Sequence, residues 1–192
     1  PLPTYFKNIF GNYIDFLKSN EIPPYCYGLK EKDKSYLFGL RESLDKKIKF
    51  ICCNSSWFSR DSNDRSNLRI GVDLLDCMRT NNMMCLNRDS EQLCIALIHH
   101  TKEEFAESEN YSWSTFPASF SYLSKMSHLI FMGHKHAKLK PWDQDGNGAY
   151  LCLVGTIYEG IEYTNTFRLI RFNKTKKGYK FECKSYEWSS HE

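Results

Sequence analysis

The chain has 192 residues, 41% hydrophobic and 15% aromatic, enough for one domain with a real core. Its formal net charge of +3 is mild: it permits an anionic substrate but does not argue for a dedicated nucleic-acid binder. No run of 18 apolar residues and no signal peptide is visible, so no membrane span is expected.

In chain order, Tyr5, Phe6, Ile9, Phe10, Tyr13, Phe16 and Leu17 recur near helical spacing and predict an amphipathic helix over 3–20, ended by Pro23-Pro24. Tyr36 to Leu40 is a short strand. Ile48 to Cys53 is a mostly apolar strand of the kind buried in a sheet, and it runs into a polar turn at Asn54-Ser55-Ser56-Trp57. Ser59 to Asn67, rich in Ser, Asp, Asn and Arg, is expected as a surface loop. Gly71 to Thr80 is expected as a helix, punctuated by Asn81-Asn82, and a strand over Cys94 to Ile98 follows. Residues 101–114 are polar and acidic and read as loop. A helix over Phe116 to Met126 precedes the strand Leu129 to Met132. Beyond it, Ala149 to Thr156, Thr166 to Phe172 and Tyr179 to Trp188 read as strands, with Gly146, Gly148, Gly160, Asn173 and Gly178 at the connections. Strands alternating with helices, then antiparallel strands, define an α/β class: a mixed sheet with helices and a terminal β meander.

Eight cysteines without a CxxC pair argue against a zinc ribbon. Cys52, Cys53, Cys94 and Cys152 lie in apolar runs, where a free thiol behaves as a small hydrophobe. A reducing cytoplasm is the expected setting. Lys174, Lys176 and Lys177 read as a solvated turn.

The chemistry concentrates at two strand ends. His99-His100 follows one apolar run, and Gly133-His134-Lys135-His136 follows another. Functional residues of α/β sheets gather at carboxyl ends of strands. Neutral imidazoles suit zinc, iron or manganese better than magnesium alone. His134 and His136, two residues apart, can serve one ion or two neighbouring ions, and Gly133 lets backbone approach without a Cβ. His128 and His191 read as structural or solvated. Asp143 to Gly148 has the spacing of a calcium-loop start, but Val154 stands where the bidentate acid belongs, which makes it a surface turn.

Ile51-Cys52-Cys53-Asn54-Ser55-Ser56-Trp57, Leu97-Ile98-His99-His100 and Met132-Gly133-His134-Lys135-His136, in this order and spacing, resemble the C-terminal part of a calcineurin-like metallophosphoesterase. Thr101 departs from the family's proline. The resemblance covers nearly the whole chain and implies the C-terminal half of an αββα sandwich, a single partial domain over 1–192 completed by, or fused to, an N-terminal half. It implies a cofactor of two divalent ions (Mn, Fe, Zn or Mg), with His99 and His134 on one and His136 on the other. His100 is then the catalytic histidine, near the substrate or behind the ligands. The implied reaction is hydrolysis of a phosphomonoester or phosphodiester, nucleotide or nucleic acid included, by metal-bound hydroxide. The family's earlier motifs, DxH, GDxxD and GNH(D/E), are missing; Gly11-Asn12-Tyr13 and Gly71-Val72-Asp73 with Asp76 imitate them only superficially. The chain by itself is therefore expected to be inactive. A fragment of this kind is also expected to self-associate. Two alternatives stand beside the enzyme: an inactive module binding a partner or nucleic acid on the same scaffold, and a single-metal site of His99, His134 and His136.

Overall fold

Continuous apolar runs such as Leu93-Cys94-Ile95-Ala96-Leu97-Ile98 cannot leave either face of a strand in water, and they build the centre of a sheet covered on both sides. A computed structural model of the chain describes residues 11–13, 15–22, 38–56, 59, 64–80, 91–112, 118–135, 143–155, 165–176 and 178–188. Among them, residues 11–13 and 15–19 are helical (α1). Then come β1 (Phe38–Glu42), β2 (Ile48–Cys53), α2 (Val72–Thr80), β3 (Leu93–Ile98), α3 (Glu107–Asn110), α4 (Ser119–Lys125) and β4 (Leu129–Met132). β5 (Asp143–Gln144), β6 (Tyr150–Leu153), β7 (Asn165–Thr175) and β8 (Gly178–Trp188) complete the order. The beginning of the expected first helix, Pro23-Pro24, Tyr36, Trp57, Arg60, Asn81-Asn82, Trp113, Phe116, His136, Gly160 and His191 lie outside the described residues.

Six strands form one mixed sheet in the order β1-β2-β3-β4-β6-β5. β2, β3, β4 and β6 run parallel to one another, while β1 and β5 pair antiparallel at the two edges. The chain is thus α/β, as its alternating pattern predicts. One face of the sheet packs Ile51, Ala96, Ile98, Ile130 and Met132 against Leu75 and Met78 of α2, Phe120 and Leu123 of α4, and the loop residues Leu68, Ile70 and Phe105. The other face buries Leu93, Ile95 and Leu129, with Phe50 and Phe131, under Phe172, Tyr179 and Phe181 of the β7–β8 hairpin. Helices, sheet and hairpin make three layers.

Several expectations change. The terminal strands do not form one meander: β6 joins the main sheet parallel to β4, because Leu151 and Leu153 pack into the helix-side core. β7 extends past Asn173 to Thr175, and the turn falls at Lys176 and Gly178, whose φ of 123° suits glycine. Residues 101–114 are not loop throughout. A 3-10 turn at Lys102–Glu104 and α3 interrupt them, held by a parallel bridge between Leu68 and Phe105 and by Glu109, whose carboxylate accepts the Ile70 and Gly71 N–H groups, each at 3.0 Å. Cys52, Cys53, Cys152 and Cys183 are free thiols, but Cys94 is disulfide-bonded, its partner lying outside the described side chains. Lying in an apolar run does not keep a thiol from pairing. Among the described residues no helix is long and apolar enough to cross a membrane.

Candidate metal centre

Parallel pairing aligns the carboxyl ends of β2, β3, β4 and β6 along one edge of the sheet. Ile98 pairs with Met132, so the residues that follow, His99 and Gly133, meet across the next step: the Gly133 N–H donates to the His99 carbonyl at 2.9 Å. A Cβ at Gly133 would lie 3.4 Å from that carbonyl oxygen and 3.6 Å from His99 Nδ1, which is ordinary contact. The residue in the left-handed region is His134 itself, at φ 69°. The Lys135 N–H donates back to the Gly133 carbonyl at 2.8 Å and closes a tight turn.

This turn brings His134 Nδ1 to 3.3 Å from His99 Nε2. The His100 ring lies 4.8 Å from that of His99 and 4.9 Å from that of His134, centroid to centroid. One nitrogen from each of the three rings falls within 4.8 Å of the others. His99 and His134 are exposed, whereas His100 is buried. Burial, reinforced by the neighbouring His99 and His134, pushes the His100 imidazole down from its ordinary 6.5 to about 4, so it is neutral near pH 7 and retains a lone pair.

Two further groups frame the cluster. Ser55, on the loop after β2, places Oγ 2.8 Å from His100 Nδ1. Lys135 Nζ donates to Glu103 Oε2 at 2.9 Å and ties the loop after β4 to the loop after β3. Burial resists ionisation of Glu103, but the bond from Lys135 prevails and holds its carboxyl down to about 2.

Of the site residues expected from sequence, the structure therefore brings His99, His100 and His134 together, while His136 lies outside the described residues. His128 sits apart from the cluster. It is buried, its Nδ1 accepts the Cys94 N–H at 3.0 Å, and its ring packs edge-on against Tyr179, a structural role. Asn54 Oδ1 accepts the Ser56 N–H at 2.9 Å and holds the turn. Asp145 is likewise engaged, accepting from the Asn147 N–H within its own turn and from Lys102 of the 3-10 turn after β3. Arg65 is exposed and lies 4.0 Å from Glu104. Asp76 accepts bonds from Arg79 of α2 and Tyr122 of α4 and does not join the histidine group. Sequence reasoning missed Ser55 as a partner of His100. Its signals are its place in the Ile51 to Trp57 segment and its position, two residues beyond a buried strand that pairs with the strand bearing His99-His100.

No family model, no curated protein and no solved structure matches the chain.

Proposed function

We propose that the chain supplies the histidine ligands of a divalent-metal centre that hydrolyses phosphoester bonds, in the C-terminal half of a metallophosphoesterase-like αββα sandwich. The observation that carries this reading is the 3.3 Å separation of His99 Nε2 and His134 Nδ1. Two nitrogens bound at about 2.0–2.1 Å to one tetrahedral ion stand about 3.3–3.4 Å apart. The donor set fits such an ion: three imidazoles, one of them kept neutral by its burial, suit zinc, iron or manganese. When bound, the ion supplies Lewis-acid polarisation of a phosphoryl oxygen and lowers the pKa of a water. The chain's own residues hold and orient: His99 and His134 at the mouth, His100 behind them. Lys135 is a cation beside His134, exposed enough to turn from Glu103 toward a phosphoryl oxygen. A second ion would draw on His136 and on ligands from an N-terminal half.

The inactive-module reading is favoured by one observation: among the described residues no carboxylate joins the three histidines. The four free thiols among the described residues accord with a cytoplasmic setting, and the bridged Cys94 counts against it.

The test is calorimetric titration of the metal-free chain with Co(II) or Zn(II), together with turnover of a generic phosphodiester by the chain and by the full-length protein carrying it. The chain should bind about one ion, and His134→Ala should weaken binding at least 10-fold; turnover should require the full-length protein. A chain without affinity for either ion would sink the reading. Metal binding without turnover in the full-length protein would move the inactive module to first place.

A further inference from the structure

We infer that Ser55 is a positioning residue of the histidine site: its hydroxyl accepts the Nδ1–H of His100 and so leaves Nε2 of that ring unprotonated for a metal ion. The inference rests on the metal-binding reading and deepens it.

Register makes the contact unavoidable. β2 and β3 are parallel, and Cys53 pairs with Ile98. Two residues further along each chain stand Ser55 and His100. Both are buried, at 1% and 6% exposure, so neither can trade its partner freely for water. Ser55 Oγ lies 2.8 Å from His100 Nδ1, and the His100 backbone N–H donates to the same oxygen at 3.4 Å. A hydroxyl oxygen has two acceptor positions, enough for both donors.

A neutral imidazole carries one proton, and its partner decides where. With the proton on Nδ1 and given to Ser55, Nε2 keeps its lone pair. With the serine hydroxyl donating instead, the proton sits on Nε2, and an N–H would occupy the ring's remaining ligand position. Ligating histidines commonly donate their other ring N–H to a fixed acceptor, and losing that acceptor typically lowers metal affinity 10–100-fold. Ser55 is the group placed to do this for His100.

The experiment has a metal-free arm and a metal arm. In 15N-histidine-labelled, metal-free chain near pH 7.5, His100 is assigned by the loss of its signals in His100→Gln, and the imidazole nitrogen shifts report which nitrogen is protonated. The wild type should show protonated Nδ1, and Ser55→Ala should move His100 toward the Nε2–H form. In Co(II) titration, Ser55→Ala should weaken binding about 10–100-fold, and Ser55→Thr, which keeps the hydroxyl, should restore it. A wild-type His100 protonated on Nε2 overturns the inference without any variant, whether or not Ser55→Ala folds. So does a folded Ser55→Ala that binds Co(II) as tightly as wild type. A wild type that takes up no Co(II) defeats the metal reading instead, and the tautomer readout then still decides the serine's part.

Discussion

Histidine is among the few side chains that occupy the left-handed backbone region with any frequency, and His134 does so at the mouth of the cluster. The conformation costs on the order of 1–2 kcal/mol, offset by the turn that aims its ring at His99. Asp145, a second unusual residue, lies in the turn before β6. Burial opposes its ionisation, but bonds from Asn147 and Lys102 prevail and hold the carboxyl down from 3.8 to about 2. Between those values the unfolded chain binds the proton and the folded chain does not, so stability rises with pH there. The contribution is complete above about pH 4 and is lost as pH falls through 2. Asp145→Asn should flatten the stability curve over that window and lower stability at pH 7 by on the order of 1–2 kcal/mol. Urea unfolding from pH 2 to 7 measures both, and parallel curves for the two proteins would refute the assignment. At this scale the histidines were legible because each follows an apolar run that names its strand. Ser55 was not, because its partner lies 45 residues away and only the β2–β3 register joins them.

At the scale of elements, the junction between β6 and β7 is the tightest place described. A Cβ on Gly155 would overlap the Thr166 hydroxyl, and Thr166 is itself 1% exposed, so little can yield. Gly155→Ala should therefore destabilise the chain by about 1–3 kcal/mol; Gly155→Ala combined with Thr166→Ser should recover little, since the hydroxyl is what the Cβ meets. Thermal unfolding of the pair checks this, and a neutral Gly155→Ala would show that the hairpin shifts at no cost. β2, β3 and β4 were readable to within a residue or so because buried parallel strands write themselves as apolar runs, interrupted in β2 only by Lys49. β5 has two residues, too few for any periodicity. β7 was read short because its outward positions are polar near its end, and the hairpin goes on pairing Asn173 with Lys180 regardless.

Among the described residues, the sheet carries α2 and α4 on one face and the β7–β8 hairpin on the other. The hairpin's outer side leaves Phe167 stacked on Tyr186, with Leu169 near them, exposed. Fold class could be read from the alternation of strands and helices, whereas the place of β6 could not, since pairing partners are set by the completed core rather than by local pattern. The centre of the sheet also sets an order of events. His99 and His134 are 35 residues apart in sequence, and they meet only once β3 and β4 are registered side by side. Contacts of such separation are slow to close, because loop entropy is lost before they form. An ion can thus grip the chain only after most of the folding barrier has been crossed. It should act as a latch rather than a nucleus: saturating Zn(II) should slow unfolding in stopped-flow experiments and leave the refolding rate unchanged, whereas acceleration of refolding would mean that the three histidines gather before the sheet does.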